Sequence, residues 1–170
     1  VTAANKITVS GSHDELKAAF VTTGTKVTAA KAVVTFNDAD TTVVAATELS
    51  DIGTAVGSAT VTNAIVVTAN HDDLKAAFVT SSSKVTAQKA VVTFNDATNA
   101  TMTASEISNI VGAAASATIT NKVAITGNKT DMKAALVTAG TAATINTTGT
   151  TATVSDAATL AEANAIAKVN

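Results

Sequence analysis

A 58-residue segment occurs twice in direct succession. HDELKAAFVT at His13–Thr22 returns as HDDLKAAFVT at His71–Thr80, and KAVVTFNDA at Lys31–Ala39 returns unchanged at Lys89–Ala97. His13 to His71 and Lys31 to Lys89 are both steps of 58, so no gap separates the copies. A third copy opens in the same phase as KVAITGNKTDMKAALVTAGT at Lys122, then diverges and shortens. A constant period of this size marks an array whose units pack on their neighbours. The chain divides accordingly. Residues 1–5 (VTAAN) resemble the end of a preceding copy, ATVTN or ATITN. Lys6–Asn63, Ala64–Asn121 and Lys122–Asn170 follow as three copies of one continuous array.

Each copy reads as strand, helix, strand, helix. Ile7–Gly11 alternates Ile7 and Val9 on one face. Ser12 with Glu15 forms a capping-box pattern, and Asn70 and Asn128 hold the same N-cap position later. Leu16, Ala19 and Phe20 make an apolar stripe, repeated as Leu74/Ala77/Phe78 and Met132/Ala135/Leu136. Gly24 supplies a positive φ to end the helix. Ala32, Val34 and Phe36 alternate along the next strand region, Lys26–Asp38. A second helix carries Leu49, Ile52 and Val56, with its start marked in later copies by Thr103/Glu106 and Thr159/Glu162. ATVTN closes the copy and runs into the next first strand. A weaker resemblance divides each copy into two half-units of roughly 29 residues.

The expected fold is an α/β repeat: a β/α solenoid of stacked strand–helix turns with parallel strands. The alternative is a string of small α+β repeat domains. Energetics favour the solenoid. Burying a large apolar side chain stabilises by roughly 1.5–3 kcal/mol, and ordering each residue costs about 1–2 kcal/mol. One copy has few such side chains, so it must share its interior with the next.

Composition narrows the function. The eleven basic residues are all Lys and scattered, net charge is −2, aromatics are 2%, and Arg is absent. A nucleic-acid binder carries a basic stripe and stacking aromatics, so no nucleic-acid partner is expected. The lack of Cys excludes disulfides, thiolate metal sites and cysteine catalysis. No apolar run approaches the roughly 20 residues needed to span a bilayer, so no membrane insertion is expected. With no initiator Met and no signal peptide, the chain reads as a mature or excised piece.

The candidate site residues lie in oxygen-rich turns. Asn37, Asp38 and Asp40 form one cluster, Asn95 and Asp96 repeat its first half, and Asp156 is the third equivalent. Such turns can hold calcium, which takes six to eight oxygen ligands, although neither an EF-hand loop nor a GGxGxD nonapeptide is present. Asx-turns and caps account for the same residues without metal. No other cofactor is implied. His13 and His71 read as polar first-turn residues, and Lys17, Lys75 and Lys133 as a solvated face. Thr60/Thr62, Thr101/Thr103, Thr118/Thr120 and Thr151/Thr153 recur as Thr-x-Thr pairs, irregularly spaced. GxSxG, HExxH, GxGxxG and GxxxxGK[ST] are all missing, and no enzymatic role is expected.

Thr/Ala/Val/Asn-rich, cysteine-free, helix-punctuated repeats, with segments such as TLAEANAI at Thr159–Ile166, resemble the tandem-repeat regions of large secreted bacterial surface proteins. Type-I-secreted adhesins and surface-layer-like proteins have this style. The resemblance implies an extracellular or cell-surface location and a structural or adhesive role. The expected function is a stalk, fibre or lattice subunit whose partners are copies of itself or neighbouring repeats of a longer chain. The alternative is a surface-binding module for glycan, ice or mineral.

Overall fold

The computed structural model describes residues 2–3, 5–138, 140–146 and 149–169. Val1 and Ala4 of the VTAAN segment, and Asn170 at the end of the third copy, lie outside the described residues. The fold is mixed α/β, with parallel sheets and six helices. In chain order the elements are β1 (Thr8–Gly11), α1 (His13–Phe20), β2 (Ala29–Phe36), α2 (Ala46–Ala55), β3 (Val56–Val61), β4 (Val66–Ala69), α3 (His71–Phe78), β5 (Val85–Thr86), β6 (Val91–Phe94), β7 (Thr101–Thr103), α4 (Ala104–Gly112), β8 (Ser116–Ile119), β9 (Ala124–Gly127), α5 (Lys129–Leu136), β10 (Thr144–Ile145), β11 (Thr151–Val154) and α6 (Leu160–Ala167).

The local signals act as expected. Ser12, Thr103 and Thr159 close full capping boxes with Glu15, Glu106 and Glu162. The Asn70 and Asn128 side chains accept from the backbone N–H of Asp73 and Asp131. These caps satisfy N–H groups that have no partner inside the helix. Gly24 takes φ of 101°. Three boundaries differ. Val56 is not helical; it begins β3 and is buried at 8% exposure, because the chain extends immediately after Ala55. α2 starts at Ala45, which has no side chain able to cap. ATVTN does not run on into the next strand either. The chain breaks at residues 62–65 and moves to a different sheet.

The strands pair in parallel in three sheets, ordered β1-β2-β3-β5, β4-β6-β8-β10 and β7-β9-β11. Thr8 lies opposite Val33, and Val33 opposite Ser58; Val66 lies opposite Val91, and Val91 opposite Ser116. Each of these steps is 25 residues, whereas two helices consume 58. Successive strands of one sheet therefore fall progressively out of phase with the helices. After four strands the sheet ends, and its successor begins 58 residues later. Every sheet consequently draws strands from two copies: β3 pairs β5, β8 pairs β10 and β7 pairs β9 across the 63/64 and 121/122 boundaries.

The core follows from this exchange. Ala32, Val34 and Phe36 are fully buried, as are Ala90, Val92 and Phe94, the inward faces of β2 and β6 and their approaches. With the helical residues Leu16, Phe20, Leu49, Ile52, Leu74, Phe78, Ile107 and Ile110, they belong to one cluster that extends from Leu16 to Ile166. Each helix touches the next in the chain, α1 to α2 and onward to α6.

One of these contacts is unusually close. A Cβ added at Gly53 in α2 would lie 2.0 Å from the Ser83 carbonyl oxygen. Ala for Gly inside a helix ordinarily stabilises by about 1 kcal/mol. Gly53→Ala is expected to reverse that sign and destabilise by about 1–3 kcal/mol, since backbone must shift to admit the methyl. Gly112→Ala in α4, where the new Cβ would meet nothing nearer than Thr141 Cγ2 at 3.9 Å, is the matched control and is expected to be neutral or stabilising. Urea denaturation of both variants measures the difference.

Candidate functional site

β2 ends at Phe36, and two residues later Asp38 turns its carboxylate inward, at 6% exposure. The next residue it meets belongs to the preceding strand–helix junction. Both Asp38 carboxylate oxygens accept from the His13 backbone N–H, at 3.2 and 3.0 Å, and Oδ1 lies 2.6 Å from His13 Nδ1. Asp96 receives the His71 N–H at 3.2 and 3.1 Å, with His71 Nδ1 at 2.5 Å. In the third copy Asp156 Oδ1 accepts from the Lys129 N–H at 2.7 Å, while Lys129 Nζ donates to the Ala157 carbonyl at 2.8 Å. A carboxylate at the first turn of α1, α3 and α5 also interacts favourably with the helix dipole. Asp156 is thus the third equivalent. His13 and His71, expected as plain first-turn residues, are half-buried partners of a buried carboxylate.

The seam continues one step further. Asn63 Nδ2 donates to the Asp38 carbonyl at 2.6 Å, and Asn121 Nδ2 to the Asp96 carbonyl at 2.8 Å. His13, Asp38 and Asn63 are spaced by the same 25 residues as the strands, and so are His71, Asp96 and Asn121. A polar line therefore ties strand ends in three successive layers.

The calcium candidates divide in the structure. Asp38 and Asp96 are engaged with backbone and imidazole, as described. Asp40 is exposed, and its Oδ1 accepts from the Ala64 N–H at 2.7 Å. Asn37 and Asn95 are exposed and continue the ladder through their backbone N–H groups, to Gly11 and Ala69 respectively. Among the described residues no three of His, Cys, Asp and Glu gather as a metal-binding group.

The lysines read as a solvated face prove to be paired. Lys17 Nζ lies 2.5 Å from Glu48 Oε1, joining α1 to α2, and Lys75 Nζ lies 2.7 Å from Glu106 Oε1, joining α3 to α4. The Lys75 ammonium, followed by the Thr103 hydroxyl, lowers the Glu106 carboxyl from 4.5 to about 2. Lys17 lowers Glu48 in the same way. A carboxyl held lower in the folded than in the unfolded state stabilises above its unfolded value and loses that contribution as pH falls toward the folded one. Lys75→Met removes the main cause of the Glu106 shift. Its acid-unfolding midpoint, followed by circular dichroism, is expected at a higher pH than that of the parent protein. An unchanged midpoint would show the pair to be inert.

The strand register aligns the threonines. Ser10, Thr35, Thr60 and Thr86 lie opposite one another across the first sheet; Thr68, Thr93, Thr118 and Thr144 do so across the second; Thr103, Thr126 and Thr153 across the third. They seem irregular along the sequence because the pairing step is 25 rather than 58. Knowing that step, a reader of the sequence could have found them.

The clefts offer little chemistry. One of about 460 Å³ beside α3 is lined by Phe78, Val85, Gln88, Asn109 and Lys84, with Lys84 its sole titratable lining residue. No helix is long and apolar enough to cross a membrane. Compared with protein-family models, curated proteins and solved structures, the chain matches none of them.

Proposed function

We propose that this chain is a segment of a β/α solenoid, acting as a stalk, fibre or lattice subunit of a bacterial extracellular or cell-surface protein and carrying out no catalysis. The observation behind this reading is the parallel pairing at a step near 25 residues, in sheets that cross copy boundaries while each helix touches the next. Such an arrangement transmits load through backbone ladders and a shared core. The Lys–Glu pairs and the His–Asp–Asn seams join layers and converge on no cleft suited to a substrate. Composition and repeat style support the extracellular placement.

A solenoid accepts a whole extra period, because the new copy offers the same two faces as the one it displaces. Inserting a second copy of residues 64–121 after Asn121 is therefore expected to yield a longer, cooperatively folded chain with a raised thermal midpoint. An insertion that unfolds the protein, or melts as an independent unit, would overturn the reading. The in-register threonine rows favour a second reading, a surface-binding module for glycan, ice or mineral, for which a thermal-hysteresis or glycan-binding signal is the discriminating result.

A further inference from the structure

The helices meet at two kinds of seam. Lys–Glu pairs join α1 to α2 and α3 to α4. The α2–α3 and α4–α5 seams are more extensive, and no ion pair spans them among the described residues. There Ala46, Leu49 and Gly53 of α2, and Ala104, Ile107 and Val111 of α4, are buried. Gly53 presses on Ser83 just after α3, and Ala104 lies against Gly127 just before α5.

The same row on α6 is uncovered. Counting from the capping threonines Thr103 and Thr159, its members are Leu160, Ala163 and Ala167, all exposed, with Leu160 at 79%. Ala152, Val154 and Ile166 join Ala163 and Ala167 around an open cleft of about 320 Å³. In the second copy the counterparts of Ala152 and Val154 are Val92 and Phe94, both fully buried. The complementary flank is equally recognisable on α1. Ala18 is exposed and Ala19 half-buried there, whereas Ala77 of α3 and Ala135 of α5 are fully buried against their neighbours.

We propose that a second copy of this chain docks its α1 flank onto the α6 flank of the first, repeating the apolar α2–α3 and α4–α5 seam between molecules. This rests on the solenoid reading and adds to it the junction and its polarity. The contact is heterologous: each molecule retains one free flank of either kind, so assembly continues as an open filament rather than closing as a dimer.

Two substitutions at exposed positions test it. Leu160→Glu introduces a carboxylate into the first turn of α6, where the helix dipole accepts it. Ala18→Glu does the same to the α1 flank, and two blocked flanks of like charge repel each other. In sedimentation velocity across a concentration series, the parent protein is expected to rise from 16.7 kDa through successive multiples. Each variant alone is expected to remain at the monomer mass. Their equimolar mixture is expected to reach twice that mass and stop, since one good junction remains per pair. A parent protein that stays monomeric at every concentration overturns the proposal. So does an Ala18→Glu variant that assembles like the parent while Leu160→Glu does not, which would indicate α6 meeting α6. Circular dichroism verifies folding, and Ala163→Glu replaces Leu160→Glu should that variant lose its helical signal. If the inserted-copy chain folds as expected yet the parent stays monomeric, the junction fails while the solenoid reading stands.

Discussion

Phe94→Ala is expected to destabilise the protein by about 3–5 kcal/mol, a large part of the 5–15 kcal/mol that holds a domain of ordinary stability. Phe94 is fully buried at the end of β6, in register with Ala69 on one side and Ile119 on the other. With small residues such as Ala69, Ala77, Ala104 and Ala117 so frequent in the core, few neighbouring side chains can move in to refill the space. The cavity term should therefore be close to its full value. Val154, its third-copy counterpart, is half-buried, and Val154→Ala should cost well under half as much. Urea midpoints at constant m-value measure both. A Phe94→Ala loss below about 1 kcal/mol would mean that the copies are packed far more loosely than described here.

The second large effect concerns a single copy. A peptide of residues 6–63 is expected to be unfolded, without a cooperative thermal transition. Cutting after Asn63 removes the partners of Thr41 N–H and Val44 N–H, which donate to the Ala64 and Val66 carbonyls. It also removes the Val66 N–H that donates to Thr42, and the Ala64 N–H that donates to Asp40. β3 loses β5, and the buried row Ala46/Leu49/Gly53 faces water. Ordering the remaining residues still costs about 1–2 kcal/mol each. A peptide that melts cooperatively would show that one copy has a sufficient interior of its own.

Much of the local structure is legible in the residues because its causes lie within a few positions. Ser12-x-x-Glu15 places a hydroxyl and a carboxylate over the same helix start, wherever that helix later packs. Ala32, Val34 and Phe36 share a face through the pleat alone. The partnerships were hidden for the opposite reason. Lys17 meets Glu48, and His13 meets Asp38, across 31 and 25 residues, distances set by how the chain winds rather than by the repeat length. No periodicity in one copy distinguishes Lys17 as a paired cation from Lys17 as a solvated one. Val56 was misplaced because its spacing suits a helical stripe, and only its pairing with Ala29 in the adjacent strand draws it into extended backbone.

By itself the chain determines its 58-residue period, its helix starts and its alternating apolar faces, since each depends on contacts between near neighbours in sequence. Tertiary structure alone decides that strands pair 25 residues apart. That choice arises from parallel hydrogen bonding between distant segments. It brings His13 to Asp38, aligns the threonines into rows, ends each sheet after a few strands, and leaves the α6 flank without a cover.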